Sequence, residues 1–196
     1  APAQAVPLSI AQNTTEFPLA LGAYAFNYGS DIQTGVTMRA DITRNGTNIY
    51  SETSPSFDFV AGTSEEDSMW IEFTAPVISP FQAGEYVISY TVIPTSTDDY
   101  PGDNVVSSKF VITDNIFSLA RLNSEGVPTS DGGSQPATPD GSFTNCIVFR
   151  SPNGSRVGAE GLYFSISKNA ADGTIDGEEV ILQGFKWADQ FDNTDD

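Results

Sequence analysis

From the start of the chain to about residue 114, apolar and polar side chains alternate with a period of two. That is the spacing of a strand with one face in a core. "GVTMRADI" sets Val36, Met38, Ala40 and Ile42 on one face and Thr37, Arg39 and Asp41 on the other. "NGT", Asn45–Thr47, marks a tight hairpin turn, and "NIYSE" resumes as the partner strand. "SMWIEF" alternates Met69, Ile71 and Phe73 against Ser68, Trp70 and Glu72. "GEYVISYTVI" alternates Tyr86, Ile88, Tyr90 and Val92 against Val87, Ser89, Thr91 and Ile93, and is apolar on both faces near its middle, as a central strand is. "VVSSKFVIT" is expected to place Val106, Phe110 and Ile112 in the core. With the earlier "FPLALGAYAFNYG", about seven strands fall before residue 114, with turn signals roughly every 8–12 residues. This pattern predicts an all-β protein, an immunoglobulin-like antiparallel β-sandwich.

The pattern then changes. Residues 123–142, "NSEGVPTSDGGSQPATPDGS", hold few large apolar side chains and many Gly, Pro, Ser and Asp, which is loop or linker composition. "FTNCIVFR", "GLYFSIS" and "EEVILQGFKW" follow as three further strands. Three strands do not close a second sandwich. The organisation expected is a sandwich over residues 1–118, a linker over 119–142, and an incomplete second β-domain over 143–196. That last part either belongs to a larger domain or packs on the first.

Charge changes the picture more than hydrophobicity does. Twenty-six acids against eight bases give the 196-residue chain a net charge of −18. Such a surface repels nucleic-acid phosphates and anionic lipid, so neither nucleic acid nor direct membrane insertion is expected. No apolar run approaches the roughly 20 residues of a membrane span. The chain has no histidine, which removes the usual general base, the Ser-His and Cys-His nucleophile pairs and the commonest transition-metal ligand. Its one cysteine, Cys146, sits in an apolar run and reads as a small buried hydrophobe. Little Cys and much Asp, Asn, Thr and Gly fit a bacterial extracellular protein.

Two acidic loops could hold a hard cation. Asp98, Asp99, Asp103 and Asn104 offer the oxygens that Ca²⁺ takes; the competing reading is an Asx-rich turn around Pro101-Gly102 with solvated charges. Asp172, Asp176 and Glu178 lie in "NAADGTIDGEE", whose spacing is not that of an EF-hand but leaves a looser calcium site open. Calcium is thus the one cofactor to consider. Glycosidase-like carboxylate pairs are expected by chance in so acidic a chain, and no acids cluster within apolar sequence, so no catalytic residues are assigned.

Trp70 and Trp187, with Tyr24, Tyr50 and Tyr163, could form a sugar-stacking platform. Packing in the core or against another domain is the plainer role for both tryptophans. "DSM", Asp67–Met69, has the short Asp-Ser-apolar pattern of an O-glycosylation acceptor at Ser68, which as a strand position needs no such role. The N-terminal "APAQAVPLSI" is extended and apolar at alternate positions, suiting it to pair with a neighbour's sheet edge.

The order of motifs also carries a resemblance. Val6-Pro7-Leu8-Ser9, Gly22-Ala23, Asn27 with Gly29, and Thr34-Gly35-Val36 open the run, and "AGEYVISYTV" followed by "PGDNVVSSKFVITD" closes it. Residues 6–120 thereby resemble an immunoglobulin-like, cell-adhesion-related (CARDB-like) module of large Bacteroidota surface proteins exported by the type IX secretion system. The resemblance implies a non-enzymatic, secreted, cell-surface module for adhesion or for spacing within a surface protein or filament. Its partners would be neighbouring domains or subunits. The alternative is a carbohydrate-binding module of a secreted hydrolase, with glycans as partners.

Overall fold

A computed structural model describes residues 3–29, 31–59 and 68–129, with the isolated positions Gly161, Glu179, Ile181 and Gln183. Apart from those four positions, the expected second β-domain, Cys146 included, lies outside the described residues. Within them the elements are β1 (Ala5–Pro7), α1 (Leu8–Ala11), β2 (Leu21–Phe26), β3 (Gln33–Arg44), β4 (Thr47–Thr53), β5 (Phe57–Phe59), β6 (Ser68–Phe73), β7 (Gly84–Ile93) and β8 (Val105–Thr113). The one helix is a single turn of four residues. No helix among the described residues is long and apolar enough to cross a membrane.

The larger sheet runs β1-β8-β7-β3-β4, with β5 also paired to β3, and the smaller is β2-β6. Strands β3, β7 and β8 face β2 and β6 across the core as the two sheets of a β-sandwich. The core is the alternation made physical. Val36, Met38, Ala40 and Ile42 of β3 are all buried, facing Leu21 and Ala25 of β2 and Ile71 and Phe73 of β6. At one end of the sandwich four rings pack edge and face: Tyr86 stacks on Phe110 at 5.1 Å and 12°, with Phe17 and Phe81 closing the cluster.

Two turns fix the register. Asn45 (φ 47°) and Gly46 (φ 80°) both hold the left-handed conformation of a type I′ hairpin, whose twist matches that of β3 and β4. At the start of β7, the Tyr86 hydroxyl donates to the Gln82 carbonyl (2.9 Å) and accepts from the Gln82 amide (3.1 Å). This is a tyrosine corner, the device by which immunoglobulin-like folds anchor the turn before their penultimate strand.

The expected all-β sandwich with mainly antiparallel sheets is present, and two details of it are corrected. One pairing is parallel: β1 runs alongside β8, pairing Ala5, Val6 and Pro7 with Val111, Ile112 and Thr113. From β1, alongside β8, the chain turns at α1 and crosses to the opposite sheet as β2. On its other side β1 is held by Ser118, through Gln4, Ala5 and Ser118 backbone bonds of 2.8–3.0 Å. The N-terminal segment therefore fills an edge of its own domain, with Ala3, Ala5 and Val6 buried. The second correction is Val106, which is exposed rather than in the core. By alternation it shares a face with Phe110 and Ile112, but the buried core reaches β8 only at those two residues.

Candidate functional site

Strand β2 is "LGAYAF". Leu21 and Ala25 point into the core, so Gly22, Tyr24 and Phe26 point out. On its partner β6, Ile71 and Phe73 point in and Trp70 and Glu72 point out. The register sets Tyr24 opposite Trp70 and Gly22 opposite Glu72. The outer face of this two-stranded sheet is therefore aromatic by alternation alone.

Those rings form a continuous strip. Tyr24 meets Trp70 edge-on at 5.0 Å, Phe26 follows Tyr24 at 6.3 Å, and Tyr28 stacks on Phe26 at 5.8 Å and 8°. Their exposures are 60% for Tyr24, 48% for Phe26, 85% for Tyr28 and 51% for Trp70. Single exposed aromatics need no explanation, but a contiguous run of four on one face marks a contact surface.

The strip is positioned, not merely exposed. A Cβ at Gly22 would lie 2.2 Å from Trp70 Cζ2, so the indole rests over bare backbone that only glycine leaves open. The Gly22 amide donates to the Tyr90 hydroxyl (3.0 Å), which reaches across from β7 and ties β2 to the larger sheet. Burial pushes the Tyr90 hydroxyl pKa up, against a smaller lowering by that amide. Beyond β2, Asn27 Oδ1 accepts from the Gly29 amide (3.0 Å) and its Nδ2 donates to the Asp31 carbonyl (2.9 Å), an Asx turn that carries Tyr28.

Of the expected platform, the structure thus brings Trp70 and Tyr24 together. Tyr50 lies elsewhere, on β4, where its hydroxyl bonds Glu52 and the Thr74 carbonyl. Burial, then the Glu52 hydrogen bond and charge, push its pKa up to about 12. Trp187 and Tyr163 lie outside the described residues. Phe26 and Tyr28 complete the strip although no motif singles them out. The trace they leave is "AYAFNY", three aromatics at alternate positions with the small Ala25 between the first two.

The acidic loop has a different character. Asp98 Oδ1 accepts from the Tyr100 amide (2.8 Å) and its Oδ2 from Asn104 Nδ2 (2.6 Å). The Asn104 carbonyl in turn accepts from the Val92 amide (2.9 Å), so the loop closes as a turn between β7 and β8. Asp99 and Asp103 are exposed on its rim. Among the described residues no group of three or more His, Cys, Asp or Glu side chains is placed to share a metal ion. Asp172, Asp176 and Glu178 lie outside the described residues. Ser68 opens β6 opposite Phe26 and is half-buried.

Two shallow depressions flank β8. One is lined by Gln4, Val87, Lys109 and Arg121, the other by Glu85, Lys109, Ile116 and the 122–126 turn, and neither brings two carboxylates together. Comparison with protein-family models, with curated proteins and with solved structures finds no match to this chain.

Proposed function

We propose that this chain is a non-catalytic adhesion and display module of a bacterial cell-surface protein, working through the outer face of its β2–β6 sheet. The observation that carries this reading is the strip Trp70–Tyr24–Phe26–Tyr28, four exposed rings each set against the next on a face that alternation would otherwise fill with polar side chains. Leaving that much aromatic surface in water is unfavourable by itself, so a face built this way is built to be covered. The missing histidine and the open, acid-poor depressions support a contact role over a chemical one. Secretion to the cell surface, the type IX route and a place among neighbouring domains of a surface protein belong to the same proposal and are supported by the motif order described above.

The test is retention under flow. Beads carrying the protein are passed over surfaces coated with polysaccharide, with collagen and with the protein itself. Retention on at least one surface is expected, and it should fall at least tenfold when Tyr24, Phe26 and Trp70 are all replaced by Ser. Equal behaviour of the two proteins on all three surfaces would overturn the role given to this face.

A further inference from the structure

We infer that the aromatic strip takes an uncharged polysaccharide chain, a deeper statement that rests on the adhesion reading above. Three features of the strip select this occupant. The first is shape. Residues 24, 26 and 28 follow one another along a strand and its exit, and Trp70 extends the line across to β6. Among the described residues the rings form an open ridge, 48–85% exposed, which suits an extended polymer and gives a small ligand nothing to be buried in.

The second feature is charge. The four cationic side chains among the described residues are Arg39, Arg44, Lys109 and Arg121, and none lies on β2 or β6. The outward residue next along the face is Glu72, exposed, and the whole chain carries −18. A polyuronate, a sulfated glycan or a nucleic acid would find like charge and, among the described residues, no counter-charge on this face. A second copy of the chain would meet the same repulsion.

The third is the direction of the rings, which project from the face of the two-stranded sheet and not along the edges of β2 and β6. A peptide laid there gains no ladder of backbone hydrogen bonds, and its desolvated amides would be left unpaired. A sugar chain has the opposite balance. Its C–H faces pack on the rings while its hydroxyls stay at the wet rim, within reach of the Tyr24 and Tyr28 hydroxyls and the Glu72 carboxylate.

The experiment is affinity electrophoresis and pull-down of the whole chain with a soluble neutral β-glucan, with cellulose and with alginate. Retardation by at least one neutral polymer is expected, unchanged between low and high salt, and none by alginate. Trp70→Ala and Tyr28→Ala should each weaken binding tenfold or more, while Tyr100→Ala, an exposed ring on the acidic turn, should leave it unchanged. Far-UV circular dichroism identical to the parent shows that the variants fold. Salt-sensitive binding to alginate, neutral binding indifferent to Trp70 and Tyr28, or no binding to the neutral polymers would each overturn the inference. In the last case, strip-dependent bead retention on collagen or on the protein itself would leave the adhesion reading standing and give the face a different occupant.

Discussion

The two outer faces of this sandwich were made by the same alternation and came out opposite in character. Outward from the larger sheet point Thr37, Arg39, Asp41 and Thr43 of β3, Ser51 and Thr53 of β4, Val87, Ser89, Thr91 and Ile93 of β7, and Val105, Ser107 and Lys109 of β8, its exposed Ile93 and Val105 confined to one end. Outward from the smaller sheet point Tyr24, Phe26 and Trp70. Hydroxyls dominate the first, and β-branched Thr suits a strand while keeping water at the surface. The second carries large rings over a backbone thinned to Gly22. Both faces sit on one shared core, so the difference is not one of fold. A sheet needs only its inner face to be apolar, which leaves the outer face free to be spent on function.

If the strip were misplaced core, its removal would cost what core removal costs. Phe110→Ala, which takes away the ring stacked on Tyr86 and tilted against Phe17, should destabilise by about 3–5 kcal/mol in urea unfolding. Trp70→Ser should cost under about 1 kcal/mol, because half of the residue already faces water and the ring packs on the exposed Tyr24 and on Gly22. Comparable losses in the two variants would break the distinction between core and contact face.

Gly22→Ala sharpens the comparison from below. The new methyl would collide with the Trp70 indole, which as the exposed end of a side chain is free to swing away. The expected change in stability is small, within about 1 kcal/mol, since strain is relieved and the added Cβ restricts the unfolded chain. The ring, however, leaves its seat. A clear shift in tryptophan fluorescence and loss of the Tyr24–Trp70 signal in near-UV circular dichroism should accompany nearly unchanged unfolding. On the other face the analogous truncations, Thr91→Ala and Ser107→Ala, should stay within about 0.5 kcal/mol and alter no spectroscopic signal.

Much of this architecture is legible in the chain, and the rest is hidden for identifiable reasons. The faces of β3, β6 and β7 follow from period-two alternation, and the Asn45-Gly46 turn from the φ values those residues tolerate. Alternation names a face but not how far along the strand it is covered, which is why Val106 faces inward and is still exposed. The parallel pairing of β1 rests on contacts between residues 5–7 and 111–113, a separation no local pattern reports. The tyrosine corner is visible only as "QAGEY", a tyrosine just past a glycine at a strand start. Among the candidate sites, Trp70 and Tyr24 could be named from their residue types, but that they touch depends on the β2–β6 register. The acidic stretch 98–104 looked richest in chemistry. Its geometry spends Asp98 on the Tyr100 amide and the Asn104 amide, as a turn does.

The smallest effect belongs to the polar face and tests whether its charges are more than solvated decoration. Asp41 accepts from Ser51 Oγ (2.6 Å), Arg39 Nε (2.8 Å) and, at longer range, Asn48 Nδ2 (3.4 Å). Burial alone would push its carboxyl pKa up, but these hydrogen bonds and the Arg39 charge outweigh it and hold the pKa below the ordinary value of 3.8. A carboxyl depressed in the folded state binds its proton more readily once unfolded. Its contribution to stability is therefore whole above about pH 4 and is lost as the pH falls through the depressed folded pKa. The pair is near the surface, so the contribution is under about 1 kcal/mol. Asp41→Asn should accordingly be slightly less stable than the parent at pH 7, with the gap closing on acidification until the two unfold together. A gap that persisted undiminished to pH 2 would mean that Asp41 acts through packing, and that the hydroxyl-rich face is held by shape where the aromatic face is held by contact.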